Sequence, residues 1–241
     1  MQPPIQLGRH TRRTFRERME RGELRACILP VAAVEQHLEH LAMEHDWRSV
    51  VEVASAVAGQ LAPRVVVAEA LMVGVSEHHM RHPGTLTLRP GTFLSVLNDL
   101  VRSLVHAGFA NVLVLNGHGG NIAPCQAAWD QFLREFQVNL QFLSYWDVLT
   151  QADANELLRS GQRLPDDLPG HAQEFETSLA LARFPQNVDT HAVADQSDPR
   201  PGQASAETGR ALFERIVARV AQHVQQMMTA QLTAAVPPFH P

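Results

Sequence analysis

Four short segments of the sequence carry closely spaced histidines and carboxylates, the side chains that most often bind divalent metal ions. The first segment leaves an apolar run and ends in Glu35 and His37. Side chains two positions apart in an extended chain share a face, so this carboxylate and this imidazole suit one cation. Asp46 follows nine residues after the histidine, and we expect it to reach back from the start of a helix. His40 and His45 also lie nearby, so the residues alone leave the choice of ligands open.

A glycine-rich turn around His118 forms the second segment, directly after another apolar run. A dinucleotide-binding turn requires Gly-x-Gly-x-x-Gly, but Ile122 stands at the third glycine position, which argues against a nucleotide site. Glycines beside a histidine let the backbone approach a bound ion, and we expect Gly119 and Gly120 to leave room for a substrate. Two asparagines are expected to fix the turn through hydrogen bonds to the backbone: Asn116 and Asn121.

The third and fourth segments add further polar groups. His171 precedes Glu174 and Glu176 at the start of a predicted helix, and such glutamates are often only partners of the helix dipole. The fourth segment, residues 73–85, has three histidines and a serine within seven residues. It lacks the Gly-x-Ser-x-Gly elbow of serine hydrolases. We therefore expect its polar residues to contact a substrate in a pocket, above all Ser76 and His79.

Apolar runs alternate with helical patterns along the chain, which predicts how these segments are positioned. Strands are predicted over residues 26–34, 64–72, 111–115 and 138–145. Helices are predicted over residues 47–61, from Pro90 onward, and over 122–136, 174–182 and 204–232. This order predicts an α/β fold, a three-layer αβα sandwich with a mainly parallel central sheet. Ligands of such sheets bind at the carboxyl ends of the strands.

The composition indicates a single domain over residues 1–241. A hydrophobic content of 45% in 241 residues allows a substantial core. The formal net charge of −5 argues against nucleic acid or an anionic membrane as the main partner. The sequence shows neither a signal peptide nor a run of eighteen apolar residues, so we predict a cytoplasmic protein that does not contact a membrane.

Taken in order, the segments resemble the motifs of the creatininase (creatinine amidohydrolase-like) family. That pattern is similar to L-P-x-G-S-x-E-Q-H-G, H-L-P…T-D, G-x-S-x-x-H…P-G-T, N-G-H-G-G-N and H-A-G-x-x-E-T-S. The matching stretches are residues 29–37, 40–46, 74–85, 116–121 and 171–178, within a resemblance that spans roughly residues 26–220. The resemblance implies the same three-layer fold, a centre of two divalent metal ions and a homo-oligomer, often a hexamer. The donor types suit Zn, Mn or Fe.

The resemblance also implies roles for individual residues. It assigns four metal ligands by motif: Glu35 and His118 for one ion, His37 for the other, and Asp46 for both. The fifth ligand stays open between Glu176, our candidate, and Glu174. His171 matches a histidine implicated in proton transfer.

Several positions depart from the family pattern around these ligands. Ala32-Ala33 replaces Gly-Ser, Leu38-Glu39 replaces Gly-Pro, His45 replaces a threonine, and Gly120 stands where creatininase proper has a glutamate. The four ligands remain, but their surroundings and the shape of the pocket change. These departures argue against creatinine itself as the substrate.

The resemblance therefore predicts a metal-dependent amidohydrolase that acts on a small cyclic or formyl amide. Two ions about 3.5–4 Å apart would lower the pKa of a shared water towards about 7, and His171 would deliver a proton to the leaving nitrogen. One alternative is a peptidase that removes a terminal residue from a short peptide, with the loops 76–82 and 160–170 deciding between the two. The other is a non-catalytic metal-binding homologue.

Overall fold

The strands of the protein form one parallel sheet, as seen in a computed structural model that describes residues 3–239. The strands are β1 (Ala26–Val31), β2 (Val65–Val67), β3 (Asn111–Asn116) and β4 (Asn139–Ser144). Their order across the sheet is β2-β1-β3-β4, and every neighbouring pair is parallel. The predicted parallel sheet is confirmed.

Helices cover both faces of this sheet. They are α1 (Arg12–Glu20), α2 (His45–Gln60), α3 (Pro90–His106), α4 (Ile122–Glu135), α5 (Gln151–Leu157), α6 (Glu174–Arg183) and α7 (Ala206–Met228). Ile28 and Leu113 join the core formed with α2 and α7, whereas Leu29 and Val114 join a separate core formed with α3 and α4. Successive strand residues thus face opposite cores, and the three-layer α/β architecture is confirmed. In residues 3–239, none of the helices combines the length and apolar character needed to span a bilayer.

The first two strands are shorter than predicted. β1 ends at Val31 instead of residue 34, and β2 comprises only Val65–Val67 of the predicted residues 64–72. The chain beyond Val31 is buried but pairs only through isolated bridges, such as Val34 with Leu86. An apolar run indicates that residues are buried, not that they pair in a sheet. Here the chain stays buried after strand pairing has ended, so the predicted strand was too long.

Two helices, α1 and α5, were absent from the prediction. α1 is rich in arginine and is capped at its N-terminus by Thr11, whose hydroxyl oxygen accepts the N–H of Thr14 at 3.2 Å. α5 has seven residues and begins with a reciprocal capping box between Thr150 and Asp153. Both helices depend on their caps more than on an apolar stripe, so periodicity did not reveal them.

Asp153 joins α5 to α7. Its carboxylate accepts hydrogen bonds from Arg215 Nη1 at 2.8 Å and from Arg219 Nη2 at 2.9 Å. Burial alone would raise the pKa of Asp153, but hydrogen bonds from Arg219, Thr150 and Arg215 hold it well below its usual range. The contact anchors the segment that leads into the loop 160–170.

We predict that Asp153→Asn lowers the free energy of unfolding by about 1–3 kcal/mol at pH 7, because charge-assisted hydrogen bonds are lost. Since folding lowers the pKa of Asp153, this stabilisation is complete above the unfolded pKa of about 3.9 and is lost as the pH falls towards the folded value. Urea unfolding at a series of pH values measures both effects. The control Asp130→Asn, at an exposed position on α4, should change stability by less than about 0.5 kcal/mol. Equal stability of Asp153→Asn and the wild type at pH 7 would contradict the prediction.

Candidate metal centre

The motif segments meet at the carboxyl edge of the sheet. Glu35 and His37 follow β1, and His118 follows β3. Asp46 lies in the first turn of α2, and Glu176 lies in the first turn of α6. Each of these five residues is at most 3% exposed. The position is the one that parallel sheet topology predicts for a ligand site.

Two asparagines fix the turn that carries His118. The Asn116 amide donates to His118 O at 2.8 Å and accepts the His118 N–H at 3.1 Å. Asn121 donates to Ala32 O at 3.2 Å and accepts the Val75 N–H at 3.0 Å. The predicted hydrogen bonds to the backbone are confirmed, and they also tie this turn to the segments that follow β1 and β2.

Asp46 lies between two histidines and presents one carboxylate oxygen to each. His37 Nε2 is 3.0 Å from Asp46 Oδ1, and His118 Nδ1 is 2.8 Å from Asp46 Oδ2. His118 Nδ1 is also 3.5 Å from Glu35 Oε1, while His37 Nε2 is 3.8 Å from Glu176 Oε2. Two imidazole nitrogens and three carboxylates therefore face one another within one buried cluster.

The second nitrogen of each of these histidines is held by a main-chain carbonyl. His37 Nδ1 lies 3.1 Å from Glu35 O, and His118 Nε2 lies 3.0 Å from Val75 O. A carbonyl only accepts, so each of these nitrogens donates its hydrogen. The opposite nitrogen, which faces the carboxylates, therefore carries a second proton or offers its lone pair to a cation.

The buried carboxylates of the cluster need positive charge nearby. Burial raises the pKa of Glu35 and raises that of Glu176 to about 8. Burial would lower the pKa of His37, but Asp46 and the neighbouring carboxylates raise it to about 10. Glu35 Oε2 is buried without a hydrogen-bond partner in the described part of the chain. Unpaired buried carboxylate oxygens are costly, and this set of nitrogen and oxygen donors fits divalent cations.

The two glutamates of the first turn of α6 have different surroundings. Glu174 accepts hydrogen bonds from the backbone N–H groups of Arg159 and Ser160 at 2.9 and 2.7 Å. Glu176 lies in the cluster, where its Oε2 accepts the N–H of Ala172 at 2.6 Å. The geometry favours Glu176 over Glu174 as a ligand, because the Glu174 carboxylate is occupied by the loop that precedes the site.

A cavity of about 520 Å³ opens above the cluster, a size typical of sites for small molecules. His171 Nδ1 and His79 Nε2 each lie 3.6 Å from Glu35 Oε1. Ser76 is fully buried against His118, with its hydroxyl oxygen 3.3 Å from Nε2. The cavity is lined by Glu35, Asp46, His78, His79, His118, Gly119, Gly120, Pro169, His171 and Glu176.

Gln36 belongs to the site, although its role was not predicted from the sequence. Its side-chain nitrogen lies 2.7 Å from His79 Nδ1 and 2.9 Å from His171 Nε2, and its carbonyl oxygen accepts the Leu38 N–H at 2.9 Å. The amide therefore donates to both rings, which leaves the hydrogen of His171 on Nδ1, the nitrogen directed at Glu35. Only the position of Gln36 between two predicted ligands could have indicated this. His78 and Pro169 also line the cavity; they lie in the two loops expected to shape the pocket, but neither was named individually as a site residue.

The buried histidine and carboxylate cluster at the carboxyl edge of the parallel sheet defines a candidate metal centre in a three-layer α/β protein. The family model described as Creatininase: Creatinine amidohydrolase matches residues 9–202. The chain belongs to the creatininase family.

Three relatives show how far the sequence similarity extends. The chain is 27% identical to creatinine amidohydrolase of Pseudomonas putida over an alignment of 261 positions, gaps included, which covers 94% of this chain and 98% of the relative. It is 30% identical to 3-dehydro-scyllo-inosose hydrolase of Thermotoga maritima, over 73% of this chain and 55% of the relative. It is 33% identical to a mycofactocin precursor peptide peptidase of Mycolicibacterium smegmatis, over 42% of each chain.

Solved structures of creatininase share the fold. One crystal structure superposes with a TM-score of 0.81 at 27% identity, covering 92% of this chain and 97% of the other. A manganese form and a zinc–zinc form of a mutant each give 0.79 at 26% identity, covering 93% and 98%. A mutant complexed with creatine gives 0.80 at 27% identity, again covering 93% and 98%.

Leu38 has a left-handed backbone conformation, with φ at 55°, where the family pattern has glycine. This conformation costs about 1–2 kcal/mol for a residue with a Cβ. We predict that Leu38→Gly raises the free energy of unfolding by about 0.5–1 kcal/mol, because the greater freedom of unfolded glycine offsets part of the relief. Chemical denaturation measures the change. Leu86→Gly, at another exposed leucine without a positive φ, is the control and should lower stability. The prediction fails if both variants lower it equally.

Proposed function

We propose that the protein is a metal-dependent amidohydrolase that cleaves the C–N bond of a small cyclic or formyl amide. The observation that carries this proposal is the position of Asp46 between two histidines whose outer nitrogens are bound by main-chain carbonyls. Together with membership of the creatininase family, it supports a hydrolytic centre that acts on C–N bonds other than peptide bonds.

In this proposal the centre holds two divalent ions. Glu35, His118 and Asp46 would hold one ion, and His37, Asp46 and Glu176 would hold the other. The mixture of imidazole and carboxylate donors suits zinc, manganese and iron. Relatives whose structures are described with manganese and with a zinc–zinc pair support the first two metals.

The chain's own residues bind and orient the substrate. When bound, the ions supply a Lewis acid for a carbonyl oxygen and lower the pKa of a water. The hydrogen on His171 Nδ1 is directed from the cavity wall towards the cluster. The neutral ring would donate this hydrogen in a hydrogen bond to the leaving nitrogen, and the proton that completes the leaving group would come from the attacking water. Gln36 holds this ring in place, while Gly119 and Gly120 leave space beside the cluster. We assign substrate contacts to His79 as well. Ser76 was expected to contact the substrate, but it is fully buried and lies 3.3 Å from His118 Nε2, so it would orient the His118 ring instead.

The similarity to mycofactocin precursor peptide peptidases supports a second candidate function, the removal of a terminal residue from a short peptide. Pro169 brings the loop 160–170 to the wall of the cavity, as His78 and His79 bring the loop 76–82. The shapes of these two loops therefore decide whether an extended peptide or a compact amide fits.

A substrate screen tests the proposed function. The protein is loaded with zinc or manganese and assayed against lactams, formamides and short peptides, and a chelator-treated sample is the control. We expect turnover of a lactam or formamide that disappears on metal removal. Turnover of peptides alone would favour the second candidate. Two bound ions without turnover on any member of the panel would favour a non-catalytic metal-binding protein, and undiminished activity after metal removal would contradict metal dependence.

We predict that Asp46→Ala abolishes binding of both ions, because this residue contributes an oxygen to each half of the centre. Elemental analysis after dialysis against zinc measures the stoichiometry, and hydrolysis of the best substrate of the screen should disappear with the ions. Asp130→Ala, at the exposed surface of α4, is the matched control and should retain both. A variant at position 46 that still binds two ions with wild-type affinity would contradict the assignment.

The glutamates of α6 provide a second matched pair. We predict that Glu176→Gln lowers the affinity for one of the two ions at least about 10-fold. Changes to the groups around a bound metal typically have an effect of this size. Glu174→Gln should retain both ions but lower the free energy of unfolding by about 1–2 kcal/mol, because it weakens the hydrogen bonds from Arg159 and Ser160. Zinc titration and urea unfolding of both variants measure these effects. The reverse pattern would assign the ligand to Glu174.

Three further expectations stay predictions. They are that residues 1–241 form one domain, that the protein acts in the cytoplasm, and that it assembles as a homo-oligomer, with a hexamer as the form implied by the resemblance. Exposed apolar side chains support the assembly, since they leave surface available for contacts between subunits: Met43, Met72, Met80 and Leu86.

A further inference from the structure

His78 lies at the edge of the cluster, in the short 3-10 turn Glu77–His79. Its ring is nearly parallel to that of His118, with an interplanar angle of 10° and ring centroids 5.9 Å apart. One nitrogen of His78, one nitrogen of His118 and one carboxylate oxygen of Glu35 lie within 4.8 Å of one another. Ligand atoms about 2.0–2.1 Å from a tetrahedral zinc ion are about 3.4 Å apart, so small side-chain movements would let the three converge on one ion.

Gly120 makes room for the His78 ring. A Cβ at position 120 would lie 3.0 Å from His78 Cε1, and it would collide with the Val75 carbonyl and the His118 ring. Any larger residue at this position would therefore displace the turn. The missing side chain is what allows an imidazole from the neighbouring loop to approach the cluster.

His78 is also available to bind an ion. The other histidines at the cavity wall each have a nitrogen engaged: His79 Nδ1 and His171 Nε2 contact Gln36, and His118 Nε2 contacts Val75 O. Within residues 3–239, the His78 ring makes no hydrogen bond to another protein group, while it lines the cavity. Both of its nitrogens are therefore free of protein partners.

We propose that His78 is a metal ligand, binding the same ion as Glu35 and His118. This inference rests on the proposed function, because it presupposes the metal centre. With Asp46 included, this half of the centre offers two imidazole nitrogens and two carboxylates. Imidazole ligands suit zinc, whereas manganese is better matched by carboxylate and water. The structure therefore assigns a preference for zinc to this half of the centre.

Zinc and manganese titrations of the full chain test the proposal. Metal-stripped wild type, His78→Ala and the control His82→Ala, an exposed histidine of the same loop, are titrated in competition with a chromophoric chelator. We expect wild type and His82→Ala to bind two zinc ions. His78→Ala should keep one zinc at wild-type affinity and bind the other at least about 10-fold more weakly. Its manganese affinity should fall less.

Replacing His78 with another metal-binding residue distinguishes the loss of a ligand from a structural effect of the substitution. His78→Glu restores a ligand atom and is expected to regain the second ion, with a preference shifted towards manganese. If His78→Ala loses the ion and His78→Glu does not regain it, the effect is structural and the proposal fails. If His78→Ala titrates like wild type, His78 is not a ligand, although the metal centre stands. If wild type binds manganese but no zinc, this proposal fails while the proposed function stands, and if it binds neither metal, both are overturned.

Discussion

Three carboxylates converge at the base of the cavity, where they are almost completely buried and little water screens their repulsion. Glu35, Asp46 and Glu176 are each nearly inaccessible to solvent, and His37 and His118 lie among them. Ionised groups that are buried without compensation destabilise a fold by several kcal/mol. Because the outer nitrogens of the two histidines already donate to carbonyls, the inner nitrogens are free to face a cation. The need for positive charge at this point explains both the orientation of the rings and the donor set.

Two helices and one strand of the fold hold these three carboxylates in place. Asp46 and Glu176 lie in the first turns of α2 and α6, where the positive end of the helix dipole stabilises negative charge. Glu35 comes from the end of β1, so three elements deliver one carboxylate each. Asn116 and Asn121 hold the loops together at the sheet edge. The topology of the sheet and the first turns of two helices therefore position all three carboxylates of the site.

The sequence was sufficient to predict the parallel sheet and the meeting of the motif segments. Both follow from local information, since strand and helix order determines the sheet and strand ends determine its ligand edge. The contributions of Gln36 and His78 depend on contacts between distant segments, which no periodicity encodes. The same is true of the choice between Glu176 and Glu174, because only the folded loop shows that Glu174 binds Arg159 and Ser160. The helices α1 and α5 were not predicted, because the sequence marks them by capping residues and not by a clear apolar stripe.

The family resemblance and the geometry lead to the same cluster. Five motifs in order identify the segments, and the structure brings their histidines and carboxylates within a few ångströms. The most direct test of the metal centre is anomalous diffraction at the zinc edge from crystals of the zinc-loaded protein. We expect two peaks, one within about 2.0–2.2 Å of atoms of Glu35, Asp46 and His118, and one at the same distance from atoms of His37, Asp46 and Glu176. A loaded protein without any peak among these residues would contradict the account.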